Sequence, residues 1–185
     1  MEIINRLFTA HYMRRKIADN RDRLYRVALA WCGDSSVADD LVQEALMIAL
    51  QRIGQLRDPE RLNAWMYTIL SNCWKQHLRR ARPTIDIDEL DLSCDRDAET
   101  GSIEQEIVDN VRRAILRLST GQRQTITLVD LAGFSYAEVA EILDIPIGTV
   151  MSRLYTSRNS LQNFLVNLRT RQPADTPTPL LRRVK

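Results

Sequence analysis

The sequence predicts an all-α chain of two small helical domains joined by an acidic flexible linker. Three observations carry that prediction. Apolar residues recur at three- and four-residue spacings, as in Leu24, Val27, Ala28 and Trp31, which is the period of an amphipathic helix rather than a strand. Charge is sorted along the chain: Lys and Arg against Asp and Glu number 14 and 9 over residues 1–83, 1 and 9 over 84–108, and 11 and 6 over 109–185. A net charge of +2 therefore conceals two basic modules around an acidic bridge. Residues 134–165, FSYAEVAEILDIPIGTVMSRLYTSRNSLQNFL, read as two short helices joined by a tight turn. The expected organisation is a first domain over 1–83, a linker over 84–102, a second domain over 103–168 and a disordered tail over 169–185.

In chain order, residues 3–23 read as a helix with a loose apolar face of Ile4, Leu7, Phe8 and Tyr12, interrupted by Arg14-Arg15-Lys16. Leu24, Val27, Ala28 and Trp31 then line a core helix that Gly33-Asp34 closes. Ser36 is expected to cap a long helix from Val37 to Ile53, with Leu41, Ala45, Ile48 and Ala49 facing the core. Asp40, Gln43, Glu44 and Met47 fall together on its other side. GQLRDPER, residues 54–61, breaks the period and reads as a loop.

From Leu62 to Arg80 a further helix turns Trp65, Ile69 and Cys73 inward, and presents Asn72, Lys75, Arg79 and Arg82 as a basic ridge. Such a ridge can follow a phosphate backbone. Trp74 is the better candidate for a partly exposed aromatic, with packing between helices as the competing reading. Pro83 ends the helix, and the run TIDIDELDLSCDRDAET over 84–100 would repel DNA.

The second domain opens with a stripe of Ile107, Val111, Ala114, Ile115 and Leu118. Ser135, with Glu138 three residues on, has the form of a capping box. Val139, Ala140, Ile142 and Leu143 supply an apolar face behind it, and Pro146 suits the first position of the next helix. There Val150, Leu154, Leu161 and Leu165 share one face, leaving Ser152, Tyr155, Thr156 and Asn159 outward with Arg153 and Arg158 beside them. Hydroxyl and amide tips suit base edges, and guanidinium groups suit phosphates. This is helix-turn-helix chemistry, although a merely solvated helical hairpin has the same pattern.

The run LSTGQRQTITLVDLAGFSYAEVAEILDIPIGTVMSRLYTSRNSL resembles the promoter-recognition domain, region 4, of an extracytoplasmic-function (group 4) sigma factor of the sigma-70 family. Ile145-Pro146-Ile147-Gly148-Thr149-Val150 followed by Ser152-Arg153-Leu154 is its most recognisable signature. The resemblance implies −35 contacts from Thr149, Met151, Ser152, Arg153, Tyr155, Thr156 and Arg158. Asp40-Leu41-Val42-Gln43-Glu44-Ala45 resembles region 2.2, which implies that Asp40, Gln43 and Glu44 dock on core RNA polymerase. LNAWMYTILSNCWKQHLRRARP resembles regions 2.3 and 2.4, which implies −10 recognition and strand opening. Leu56, Arg57, Asp58, Arg61, Ile69 and Asn72 then stand where relatives line a pocket for an extruded base, and Lys75, Arg79, Arg80 and Arg82 extend the surface. The sequence departs from the family at Leu118-Ser119-Thr120, where Leu-Pro-Pro is common, and at Met151 and Thr156, where basic residues are common. Serine and threonine are good caps, so the fold is expected to survive, whereas fewer charges weaken nonspecific attraction to DNA.

Cys32, Cys73 and Cys94 are odd in number and form no CxxC pair, which argues against a disulfide framework. Cys73 and His77 are four apart but lack companions for a four-ligand zinc site, so no metal or other cofactor is expected. No P-loop, GxGxxG, HExxH or GxSxG is present, and no enzyme activity is expected. The charged N-terminus does not read as a signal peptide, and no run is apolar enough to span a bilayer. The expectation is a monomeric bacterial cytoplasmic sigma factor for a stress response. Its partners would be core RNA polymerase, promoter DNA and an anti-sigma factor, with no membrane insertion. The alternative is a stand-alone helix-turn-helix regulator acting without polymerase. Such proteins usually dimerise to match two half-sites.

Overall fold

The structure, a computed structural model, describes residues 12–56, 58–81 and 103–171. The expectations for residues 1–11, Arg57, Arg82, the acidic linker up to 102 and the tail from 172 fall outside them. Among the described residues every regular element is helical. The first module holds α1 (12–19), α2 (Arg21–Cys32), α3 (Ser35–Arg52) and α4 (Leu62–Ala81); the second holds α5 (Ile103–Leu116), α6 (Thr120–Ile126), α7 (Tyr136–Leu143) and α8 (Ile147–Arg171).

The single helix expected over 3–23 is broken. Residue 20 forms a turn, and the buried side of α1 is Met13 and Ile17, while Tyr12 is exposed. In α2, Leu24, Val27, Ala28 and Trp31 are all buried as their spacing requires. Gly33 ends the helix at φ 72°, and its N–H donates to the Leu29 carbonyl at 2.8 Å. Glycine reaches this left-handed conformation without steric cost.

The cap of α3 is Asp34 rather than Ser36. Its carboxylate accepts from the N–H groups of Ser36 at 2.7 Å and Val37 at 3.1 Å. Asp34 lies just outside the helix, where an oxygen can reach the free N–H groups of the first turn; Ser36 is already inside it. The buried face of α3 contains Ala38, Leu41, Val42, Ala45 and Ala49, and these small residues let α2 and α4 approach closely.

In α4 the apolar side is Leu62, Met66, Ile69, Leu70, Cys73, Trp74 and Leu78. Of the two readings of Trp74 the packed one holds, while Trp65, expected inward, is less covered. Trp74 is buried and stacks on His77 with ring centroids 5.5 Å apart, whereas Trp65 is half-buried. Trp74 follows Cys73 in the chain, and both are buried on α4.

The stripe expected on α5 is buried only at its C-terminal end, where Ala114 and then Leu118 reach the core; Ile107, Val108 and Val111 are exposed. Ser119 caps α6 in a reciprocal box with Gln122, so the departure from a Leu-Pro-Pro turn leaves this helix start intact. A wide turn of π type follows over Thr127–Leu131, in which the Ala132 N–H donates back five residues to the Thr127 carbonyl at 2.9 Å.

The buried residues form one cluster that runs through both modules, from Met13 and Trp31 through Leu70 to Leu128, Val139 and Leu154. The modules are therefore packed on one another. Helix α4 lies along α7, and α2 meets α5, α6 and the wide turn.

Candidate nucleic-acid and polymerase interface

The helix-turn-helix forms as its residues dictate. Ser135 accepts at its hydroxyl from the Glu138 N–H at 3.3 Å, and its own N–H donates to Glu138 Oε2 at 2.8 Å. These two reciprocal bonds complete the capping box of α7. Hydrogen bonding from the Ser135 hydroxyl, then from its N–H, holds the Glu138 carboxyl below its ordinary value. Helix α7 ends at Asp144, which adopts φ 57° and ψ 55°, a conformation that Asp and Asn tolerate better than most residues. The Pro146 carbonyl then accepts from Thr149 and Val150 at 2.9 and 3.2 Å, so α8 begins one residue later than the expected Pro146 start. Val150 and Leu154 are buried, Leu161 is half-buried and Leu165 is exposed, so the inward face fades toward the end of the helix.

On the outer face of α8, Met151, Ser152, Tyr155, Thr156, Arg158 and Asn159 are exposed, while Thr149 and Arg153 are half-buried. Several polar tips are already engaged. The Ser152 hydroxyl donates to the Thr149 carbonyl at 3.1 Å and the Thr156 hydroxyl to the Ser152 carbonyl at 3.0 Å. The Arg153 guanidinium lies over Gly121, where an added Cβ would sit 2.6 Å from it. Arg158 grips Asp130 with Nη2 at 2.6 Å and Nε at 3.3 Å. Hydrogen bonds to Asp130 and then to Tyr136 hold that guanidinium above its ordinary value. Besides Asn159, three apolar or aromatic side chains stand clear: Ile147 at 49%, Met151 at 54% and Tyr155 at 72% exposure, four residues apart on one line. Sequence reasoning selected Met151 and Tyr155 and passed over Ile147, although the spacing that joins the three is plain in the chain.

In the first module, Asp40, Gln43 and Met47 are exposed along α3 and Glu44 is half-buried beside them. Asp39, one residue away, is taken up by Arg21 at 2.8 Å. The segment before α4 places Asp58 as the cap of the short turn Pro59–Arg61, accepting from the Glu60 N–H at 2.9 Å. Leu56 is half-buried against the core and Ile69 is buried, so neither presents an open apolar wall. Asn72, Arg79 and Arg80 are exposed on α4. Lys75 instead donates to the Leu143 carbonyl at 3.1 Å, and Arg61 pairs with Glu141 at 2.9 Å, both partners lying on α7.

Sequence reasoning missed the polar joint between the modules. The Trp31 indole N–H donates to Thr127 Oγ1 at 2.6 Å, and buried Arg123 donates to the carbonyls of Trp31 at 2.6 Å, Leu116 at 2.6 Å and Leu118 at 3.0 Å. The only local signal was an arginine in the run QRQTITL, and its partners are too remote in sequence to be inferred. Cys73 is a free buried thiol, pushed up to about 11 by burial and then by the charge of Glu44. His77, its supposed companion, stacks on Trp74, and no cluster of three or more potential metal ligands occurs among the described residues. None of the described helices is long and apolar enough to cross a membrane.

The Sigma-70 region 2 family matches residues 17–84, and Sigma-70, region 4 matches residues 109–161. The ECF RNA polymerase sigma factor EcfG of Rhodopseudomonas palustris (strain TIE-1) is 31% identical over 138 residues, spanning 75% of this chain and 76% of its own length. SigM of Mycobacterium tuberculosis (strain ATCC 25618 / H37Rv) is 33% identical over 150 residues, or 80% and 74% of the two chains. The sigma-E factor of Escherichia coli (strain K12) is 32% identical over 136 residues, or 67% and 71%. Among solved structures, the sigma factor RpoE of Bartonella quintana, crystallised with the anti-sigma factor NepR, superposes with a TM-score of 0.67 at 28% identity. That match covers 82% of this chain and 95% of the other. CnrH, solved with the cytosolic domain of CnrY, shares the fold at a TM-score of 0.62 and 22% identity, covering 84% and 88%. With both regions matched in order and relatives above 30% identity over most of their length, the chain belongs to the ECF RNA polymerase sigma factors.

Proposed function

We propose that this sigma factor binds core RNA polymerase through Asp40, Gln43 and Glu44, and directs initiation at promoters whose −10 and −35 elements it reads with separate modules. The observation that carries the reading is the helix-turn-helix itself: a capped α7, a tight turn at Asp144 and a long α8 with an exposed outer face. Exposed side chains on the second helix of such a unit are the ones able to enter a major groove. Lys75, Arg79 and Arg80 on α4, with Asn72 beside them, are assigned to a basic surface for the −10 region, to which the sequence adds Arg82. Leu56, Arg57, Asp58, Arg61, Ile69 and Asn72 are assigned, by their likeness in sequence to the family, to the holding of an unstacked base, a role that the covered Leu56 and Ile69 would serve from beneath. Thr149, Met151, Ser152, Arg153, Tyr155, Thr156 and Arg158 serve the −35 element.

The exposed Asp40 and half-buried Glu44 carboxylates of α3 favour a basic partner surface, and charge of opposite sign raises the rate and specificity of such an encounter. In this reading the protein is a DNA-binding initiation factor of the group 4 type, not an enzyme. It works as a monomer where polymerase works, in the bacterial cytoplasm. The solved relative held by NepR supports an anti-sigma partner for this chain also.

The test is co-elution of the purified chain with core RNA polymerase on a sizing column, followed by transcription from a promoter library. Binding with new promoter-dependent transcripts is expected. A chain that stays free of polymerase but shifts duplex DNA would establish the stand-alone regulator instead.

A further inference from the structure

The match to region 4 ends at Leu161, but α8 continues to Arg171. Here it borders an open groove of about 460 Å³, lined chiefly by Ile126, Leu161, Leu165 and Val166, with Arg158 and Asp130 toward the earlier part of the helix. Ile126 is buried, whereas Leu165 is 39% and Val166 55% exposed. A concave apolar lining with a few placed polar groups is the usual form of a binding site.

The sequence that follows α8 has the chemistry to fill it. Residues 172–185, QPADTPTPLLRRVK, place Leu180 and Leu181 directly before Arg182 and Arg183, and set one acidic residue, Asp175, against three basic ones. The leucines match the apolar lining. The arginines match Asp130, whose side chain remains 43% exposed beside Arg158, and a carboxylate has lone pairs for more than one guanidinium. The acidic run 84–100 would instead bring like charge to Asp130.

The lengths also fit. Leu165 and Leu161 lie six and ten residues before Arg171, about 9 and 15 Å back along a helix. The eight residues 172–179 include Pro173, Pro177 and Pro179, and at about 3.1 Å each in a polyproline conformation they span about 25 Å. That length allows a reversal and a return to the groove. Pro173 has no N–H with which to prolong α8, and prolines in the connection lower the entropy lost on docking.

We propose that residues 179–185 dock in the groove of their own chain, with Leu180 and Leu181 against Leu161, Leu165 and Ile126, and an arginine beside Asp130. The segment is an internal occupant of this face, and any other peptide or helix that uses the groove must displace it. A short tether gives it an effective concentration on the order of 1 mM, so a segment whose Kd is about 100 μM when free fills the groove about nine-tenths of the time.

The experiment uses the full chain, an opened variant with Leu180→Asp and Leu181→Asp, and the opened variant with Leu165→Glu added. The probe is a fluorescein-labelled synthetic peptide of residues 173–185, followed by anisotropy, with circular dichroism to compare helical content. The opened variant should bind the peptide with a Kd of about 100 μM and the native chain about tenfold more weakly, since its own segment competes. Adding Leu165→Glu should abolish binding; if it alters helical content, Val166→Glu, at a more exposed position, replaces it. No binding to the opened variant, equal binding to opened and native chains, or binding indifferent to the groove substitution would each overturn the proposal. Sizing over a concentration series distinguishes the chain's own segment from that of a second copy. The native chain should stay monomeric, and dimers that dissolve in the opened variant would give the groove to a second copy and overturn the internal docking.

Discussion

Arg158 on α8 and Asp130 on the wide turn before α7 form a two-point ion pair, with Nη2 2.6 Å and Nε 3.3 Å from the carboxylate oxygens. The side chains remain 48% and 43% exposed, a setting in which such pairs contribute less than about 1 kcal/mol to stability. On the function proposed above, in which Arg158 contacts phosphate, the pair acts chiefly as a brake on that guanidinium. Asp130→Asn should release Arg158 and add roughly one phosphate contact on duplex DNA, which steepens the salt dependence of log K by about 0.9. Titration of the duplex between low and physiological salt reads this slope. An unchanged slope with lowered thermal stability would make the pair structural only.

The Ser135–Glu138 box gives a stability prediction with a pH signature. Ser135→Ala should lower unfolding stability by about 1 kcal/mol in urea at neutral pH. The Glu138 carboxyl is held below its ordinary 4.5 by the Ser135 hydroxyl first. A depressed carboxyl stabilises the fold fully above its unfolded value, and that contribution is lost as pH falls through the folded one. The gap between wild type and Ser135→Ala should therefore be constant above 4.5 and narrow below it. A gap that widens in acid would show that Glu138 is not the partner that matters.

Much of the fold was legible because local rules and tertiary packing agreed. The Ser135 box, the Gly33 stop and the buried face of α2 each follow from residues within a few positions of one another. Capping and periodicity are short-range in the same way. What was not legible depended on distant chain. Periodicity places Ile107 and Val111 on an apolar stripe, but the packing of α5 on α2 and α8 decides how much of that stripe is covered, and Ile107 and Val111 stay exposed while Ala114 is buried. Trp74 is likewise buried, which the spacing of α4 alone did not decide. In the candidate site, composition identified Lys75, Arg61 and Arg158 as cations yet could not reveal that Leu143, Glu141 and Asp130 hold them.

Cys73 is buried in α4, and its thiol is pushed up to about 11 chiefly by burial, with Glu44 adding to the effect. The thiolate is the reactive species, so Cys73 should resist iodoacetamide at pH 8 in the folded chain and react on denaturation, as mass spectrometry of the α4 peptide can show. The raised value also bears on stability. The neutral thiol's contribution is fully present below the ordinary 9.0 and is lost as pH rises toward 11. Cys73→Ala should accordingly flatten the alkaline loss of stability over that window. Rapid labelling of the native chain at neutral pH would contradict the burial described.

Asp40 is set on a side of α3 that the core does not use, and Glu44 borders α4, where its charge acts on Cys73. Asp40 is exposed, and Glu44 follows one turn later. Asp40→Ala with Glu44→Ala should weaken core polymerase binding by at least about tenfold at low salt, and by less at high salt as screening grows. Helical content should not change, because neither residue belongs to the buried face of Ala38, Leu41, Val42, Ala45 and Ala49. Equal affinity in a titration against core enzyme would remove this face from the polymerase contact.

The outer line of α8 predicts how the −35 element is read. The hydroxyls of Ser152 and Thr156 are turned to backbone carbonyls, while Met151 and Tyr155 are exposed. Apolar side chains in a major groove discriminate through the thymine methyl group, which no other base carries. Met151→Ala and Tyr155→Ala should each lower transcription from the preferred promoter and relax its choice at one or two −35 positions, leaving −10 preference intact. Deoxyuridine in place of thymidine removes only the methyl. At a contacted position it should reduce wild-type binding by about five- to tenfold and have little further effect on the matching alanine variant, in keeping with 1–3 kcal/mol for a good base contact as an upper range. Equal sensitivity of wild type and both variants to that swap at every −35 thymine would assign the reading to the polar side chains instead.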